Sequence, residues 1–215
     1  MLKYQIIPVT SFQQNCTLLR CESTGKGAVV DPGGDVDILW QAIQQQNITV
    51  ECLLITHGHI DHAGGAKALA KKLAVPVYGP HQDDAFLLDA SLGQAGAFGL
   101  SAGSSFIPQR WFADGDEISF GNIRLKVIHA PGHTPGHVVY FHPESKLALV
   151  GDVLFAGSIG RTDFPRGDYD TLIHTIRDKL FPLGDDISFI PGHGPMSNFG
   201  AEKSHNPFVG DRLFL

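Results

Sequence analysis

Short apolar runs, alternating or continuous and broken by Gly, Pro and Asn, recur along the chain and read as strands. Residues 3–9, 16–21 and 28–31 make the first group, separated by turn residues such as Gly25-Lys26-Gly27. A sharp turn follows at Asp31-Pro32-Gly33-Gly34, and Asp35 then stands as an N-cap for an amphipathic helix over 36–46. Residues 50–55 form an apolar strand, 66–73 have helical spacing, and 75–78 read as a strand. The pattern is weakest from 81 to 112, where 83–92 reads as helix and the Gly, Ala and Ser residues of 93–105 as a mobile loop. Alternation returns in two strand pairs, 117–120 with 123–129 and 138–141 with 147–150. Leu172, Ile173, Ile176 and Leu180 mark a helix over 170–180, and 187–190 is a last apolar strand. This order predicts an α/β fold: two mixed β-sheets packed together, helices on the outer faces, and strand-end loops from both halves meeting along one edge.

Composition narrows the setting. With 215 residues, 43% of them apolar and 18% charged, the chain has material for one substantial core, and residues 1–215 are expected to form a single domain. A net charge of -6 and the lack of any Lys or Arg block disfavour a nucleic-acid partner. No apolar run reaches membrane-spanning length, and the first residues lack the pattern of a secretory signal. Cys16, Cys21 and Cys52 have no CxxC spacing and read as core thiols of a reducing compartment, so a cytoplasmic enzyme is expected. The outlier is histidine, 11 residues against 16 Lys plus Arg.

Much of that histidine falls in one stretch, Thr56-His57-Gly58-His59-Ile60-Asp61-His62-Ala63-Gly64-Gly65, between an apolar strand and a helical pattern. Neutral imidazole and carboxylate are the usual non-sulfur ligands for zinc and its neighbours, and small residues let backbone approach a metal closely. His57 and His59 can face one point, and Asp61 with His62 a second. Three later segments repeat the logic, each placing a ligand-type residue after an apolar strand and beside Gly or Pro: His129 to His137, Gly151-Asp152, and Pro191-Gly192-His193-Gly194. Together they supply seven ligands for two metals.

This five-part pattern, from the Asp31 turn to His193, closely resembles the metallo-β-lactamase superfamily. The resemblance implies the αββα sandwich of that fold. It implies His57, His59 and His133 at one metal, Asp61, His62 and His193 at the other, and Asp152 bridging the two. Asp31 matches the structural aspartate that bonds the ligand loop. His129, His137, His81, His142, His174 and His205 match no ligand position and read as structural or supporting. Two divalent ions, zinc first with iron or manganese also suited, keep about +2 of charge after two carboxylates bind. They can hold a bridging hydroxide as nucleophile. Asp61 would serve both as ligand and as the catalytic group orienting that hydroxide.

The metal motif names a mechanism but no substrate. Downstream of Asp152, Gly160-Arg161-Thr162-Asp163-Phe164 is similar to the glyoxalase II group, as is Asn206-Pro207-Phe208. That likeness implies hydrolysis of S-D-lactoylglutathione, or a related hydroxyacylglutathione, to D-lactate and glutathione, with Arg161 helping to hold the glutathione part. A thiolate with pKa near ~8.5 leaves without a dedicated acid, which suits a thioester. The residues after His193 are too few for the helical domain of full-length members, so a short form is expected. Two alternatives stand beside it: a glutathione persulfide dioxygenase with one iron, which shares the Gly-Arg-Thr-Asp-Phe run, and a non-catalytic metal-binding module.

Overall fold

In the computed structural model, which describes residues 1–89 and 105–211, thirteen strands fall into two large sheets and one small ribbon. The first sheet has the order β1-β2-β3-β4-β5, from β1 (Leu2–Val9), β2 (Gln14–Cys21), β3 (Lys26–Val30), β4 (Thr49–Leu54) and β5 (Val77–Tyr78). β1 to β3 pair antiparallel, whereas β3, β4 and β5 are parallel and reached through the helices α1 (Val36–Gln45), α2 (Ile60–Ala63) and α3 (Ala66–Leu73). The second sheet runs β13-β12-β9-β8-β7-β6. Its strands are β6 (Glu117–Phe120), β7 (Ile123–His129), β8 (Val138–His142), β9 (Leu147–Gly151), β12 (Ser188–Pro191) and β13 (Ser197–Asn198). β10 (Leu154–Phe155) and β11 (Ser158–Ile159) form the ribbon. After the 3-10 turn Gln82–Asp84 come α4 (Ala85–Asp89), then α5 (Tyr169–His174) and α6 (Phe199–His205).

Side-chain alternation turns these strands into layers, because successive residues of a strand point to opposite faces. On β4, Cys52 and Leu54 enter the core between the sheets, while Leu53 faces Leu39 and Ile43 of α1 and Leu69 of α3. On β8, Val138 and Tyr140 point inward and Val139 and Phe141 point toward Leu172, Ile176 and Leu180. Both faces of these strands are covered, so they read as continuous apolar runs. The outcome is the expected αββα sandwich.

Local details depart from the sequence expectations in ways the contacts explain. Asp35 occupies the N-cap position of α1 but does not cap it; its backbone is left-handed (φ 46) and its carboxylate accepts the Thr10 N–H at 2.7 Å. The strand expected over 75–78 is confined to Val77–Tyr78, since Pro76 has no N–H to donate. The expected helix 83–92 starts as a 3-10 turn, is α-helical over Ala85–Asp89, and its last residues lie outside the described ones, as does nearly all of the 93–105 loop. Helix α5 continues into a wider π-type stretch over Thr175–Leu180, keeping Leu172, Ile176 and Leu180 on one buried face. The ribbon, β13 and α6 carry too few apolar positions to register as pattern.

Candidate metal centre

All the candidate ligands follow strand ends at one edge of the sandwich. His57, His59, Asp61 and His62 follow β4, His133 follows β7, Asp152 follows β9, and His193 follows β12. Backbone bonds lock these loops together: Val138 N–H to Thr56 O (2.8 Å), Gly192 N–H to Gly151 O (2.7 Å) and Asn15 N–H to Gly192 O (2.7 Å). Gly192 has to be glycine, because a Cβ there would run into Asp152 Oδ1 and lie 2.6 Å from His62 Cε1.

Two donor groups face each other. His57 Nε2 and His133 Nε2 each lie 3.0 Å from His59 Nδ1. In the second group His193 Nε2 is 3.2 Å and His62 Nε2 3.8 Å from Asp61 Oδ2. Asp152 lies between them, with Oδ1 3.3 Å from His62 Nε2 and Oδ2 3.7 Å from both His133 Nε2 and His193 Nε2.

Hydrogen bonds on the far side of four rings set their tautomers. His133 Nδ1 donates to Arg161 O (2.7 Å), His193 Nδ1 to Phe12 O (3.1 Å) and His62 Nδ1 to Asp31 Oδ2 (2.9 Å). Thr56 Oγ1 donates to Asp31 Oδ2 (2.6 Å), so it accepts from His57 Nδ1 (3.1 Å). In its neutral form each of these rings therefore turns a bare Nε2 lone pair into the centre, as ligating histidines do. Asp31 also takes the Thr56 N–H at 2.7 Å, which is the loop-holding job expected of it.

The electrostatics suit cations. Burial, reinforced by the neighbouring rings, pushes His57 well below its ordinary pKa and His59 down to about 3, so this group is neutral and unprotonated. Burial also outweighs the Asp152 carboxylate at His133 and lowers it. At His62 burial works the other way from the outcome, because Asp152, Asp61 and the bond to Asp31 raise its pKa. Asp152 is held well below the carboxylate range by His62, His133 and His193 although burial opposes this. Among the described residues, His62 Nε2 and Asp152 Oδ1 are sealed from solvent with no hydrogen-bond partner. Such orphaned groups are costly unless something coordinates them, and a cation between them meets that need. The residues fit metal ions.

Supporting residues appear that the sequence did not single out. The buried Asp84 accepts the Gly58 N–H (2.8 Å) and the Thr134 hydroxyl (2.8 Å) on Oδ2 and the Gly136 N–H (2.6 Å) on Oδ1, joining the two histidine loops. Burial raises its pKa to about 6 against the pull of those three donors. It lies where the apolar pattern is weakest, and nothing in its spacing separates it from a surface acid. His137, read as structural or supporting, stacks on His57 at 4.7 Å and accepts the Asp152 N–H at 3.1 Å. His81 and His129 stack at 4.3 Å, and His129 Nε2 donates to Pro135 O, which ties down the same loop. Arg161 reaches the centre through its carbonyl; its guanidinium pairs with both Asp163 oxygens (2.9 and 2.7 Å) and lies 4.4 Å over Phe164. The Phe164 ring in turn abuts His59 at 5.0 Å and His133 at 5.9 Å.

Two facing mixed sheets with a histidine and aspartate cluster at their loop edge define the class of metal-binding αββα sandwich proteins. The chain belongs to the metallo-β-lactamase superfamily, whose family model matches residues 9–193. It is 45% identical to the hydroxyacylglutathione hydrolase GloC of Haemophilus influenzae over 212 residues, covering 98% of this chain and 100% of that protein. Among solved structures it is similar to BLEG-1 B3 metallo-beta-lactamase, with TM-score 0.89, 32% identity, and 96% and 99% of the two chains covered. It is also similar to TTHA1623 in a di-iron-bound form, with TM-score 0.87, 33% identity and coverage of 95% and 100%.

Proposed function

We propose that the chain is a thioester hydrolase of the glyoxalase II type, converting S-D-lactoylglutathione or a similar hydroxyacylglutathione to D-lactate and glutathione. The observation that carries this is the 45% identity with a hydroxyacylglutathione hydrolase along nearly the whole of both chains. In this reading His57, His59 and His133 hold one divalent metal, Asp61, His62 and His193 hold another, and Asp152 bridges. Zinc is the first choice for an all-imidazole and carboxylate set, with iron or manganese as the alternatives the same ligands suit. When bound, such ions make water acidic enough to attack at neutral pH and polarise a thioester carbonyl.

The chain's own residues do the rest. Asp61 sits against His193 and beside His62, where its carboxylate can accept a hydrogen bond from the attacking oxygen and orient it. The Arg161 and Phe164 pair borders the His59 and His133 side and receives the glutathione half. No described acid is needed at the leaving group, because a thiolate departs unprotonated at neutral pH. Among the described residues no helix is long and apolar enough to cross a membrane, and all three cysteines are free and buried. We infer a cytoplasmic setting from those thiols.

The test is metal analysis of the purified protein alongside thiol release from S-D-lactoylglutathione. About two metals per chain with hydrolysis is expected. A single iron, with oxygen uptake on glutathione persulfide and no thioester cleavage, replaces the proposal with the dioxygenase reading.

A further inference from the structure

We propose that Arg166, carried over the ring of Phe86 at the rim of the metal centre, binds a carboxylate on the thiol half of the substrate. The inference rests on the thioester-hydrolase reading above and goes beyond it by assigning a residue to the negative charge that a glutathione-like thiol carries far from its sulfur.

Three observations point there. The first is a difference between the two arginines of the loop after Asp152. Arg161 already spends Nε and one Nη donor on Asp163, which offsets part of its charge and leaves fewer donors for substrate. Arg166 is exposed and has no ion pair and no hydrogen bond to its guanidinium among the described residues; the guanidinium lies over the face of Phe86, 4.3 Å away. An aromatic face holds a guanidinium in place without consuming its N–H donors, so the fork stays available for a planar anion. The nearby acids are engaged elsewhere, Asp163 with Arg161 and Asp168 with the Thr171 N–H at 2.7 Å.

The second observation is backbone. Arg166 is held left-handed (φ 65), a conformation that costs a non-glycine residue energy and persists where surrounding bonds impose it. Here they do: the Gly167 N–H closes on Phe164 O at 2.8 Å, and the Asp168 N–H on Gly132 O at 2.8 Å, next to His133. The turn that aims Arg166 is thus tied to a candidate ligand loop.

The third is position. Phe164, at the start of that turn, packs on His59 and His133. Phe86 lies on α4, directly after Asp84, which bonds Gly58 between His57 and His59. The turn that carries the guanidinium and the helix that carries Phe86 are thus each tied to a segment of the centre. A carboxylate several bonds from the scissile thioester meets a cation at that place.

The experiment compares two lactoyl thioesters, one of glutathione and one of N-acetylcysteamine, whose thiol half carries no carboxylate. The readout is the ratio of their kcat/KM values, in which any loss of metal cancels. Arg166→Gln should lower that ratio about 10-fold, mostly through KM for the glutathione ester, and Arg166→Lys should recover part of it. An unchanged ratio in Arg166→Gln overturns the assignment. If the wild-type protein cleaves neither ester, the hydrolase reading fails by itself. Titration with S-methylglutathione then decides the site: binding about 10-fold weaker in Arg166→Gln supports it, and equal binding, or none in either protein, overturns it.

Discussion

Asp84 offers the sharpest test of how the centre is held. It touches no candidate ligand side chain, yet its carboxylate joins Gly58, between His57 and His59, to Thr134 and Gly136, on either side of the turn after His133. Asp84→Asn keeps the shape and removes one acceptor. With the amide oxygen kept toward Gly58 and Thr134, the amide NH2 faces the Gly136 N–H across 2.6 Å, donor against donor. An orphaned buried donor costs about 1–3 kcal/mol. Against this, the variant removes a buried carboxylate whose pKa is raised to about 6. From a solution value of ~3.9, that shift is a relief of ~3 kcal/mol at neutral pH. The two nearly cancel, so stability in denaturant should move by less than ~2 kcal/mol. Metal affinity should not be spared, because groups that orient ligands typically cost 10–100-fold, at order-of-magnitude level, when altered. Competition with a chromophoric chelator and kcat/KM measured at saturating metal provide the assay. Wild-type metal affinity in Asp84→Asn, with the fold intact, would refute the idea that this carboxylate positions the two loops.

Other expectations follow from the same geometry. Because burial raises the pKa of Asp84, the folded chain keeps its proton while the unfolded chain loses it between about pH 4 and about 6. Its contribution to stability falls as pH rises through that window, so the difference in unfolding free energy between wild type and Asp84→Asn should change by ~3 kcal/mol across it; parallel curves would count against it. Gly192→Ala should abolish metal binding at the second group, seen as lost metal content, since its Cβ would meet Asp152 and His62. Chelation should lower Tm by several degrees, re-exposing the repulsion between the Asp61 and Asp152 carboxylates and the orphaned atoms of Asp152 and His62; an unchanged Tm would argue that no ion stabilises the centre. Tyr140→Phe removes the buried bond from Tyr140 OH to Ile55 O (2.7 Å) and should cost about 1–2 kcal/mol by equilibrium unfolding while leaving metal content alone.

Four of the five converging imidazoles are held from behind by the fold itself. Asp31, Thr56, Phe12 and Arg161 accept or relay the far-side ring protons of His57, His62, His133 and His193, so the orientation of these four rings is set by the fold. Only the near-side atoms are left in conflict, and they are few. Among the orphaned atoms, those of Asp152 and His62 face the donor groups, where a cation would remove their cost.

Periodicity along the chain was enough to define the two sheets, the covering helices at 36–46, 66–73 and 170–180, and the ends of strands where chemistry collects. These depend on local preference and on burial of alternate residues, which a linear pattern records. The histidine and aspartate spacing likewise marked each residue now found in the two donor groups. Distance across the fold is what the linear pattern does not record. Asp84 joins Gly58 and Gly136 from a segment with no distinctive spacing, Asp35 bonds Thr10 instead of capping its helix, and His137 supports Asp152 by stacking behind His57. Resemblance marked Arg161 and passed over Arg166; only the packed loop pairs the first with Asp163 and sets the second on Phe86. Such choices are made by chain segments far apart in sequence that the sandwich brings within bonding distance, and the tertiary structure alone decides them.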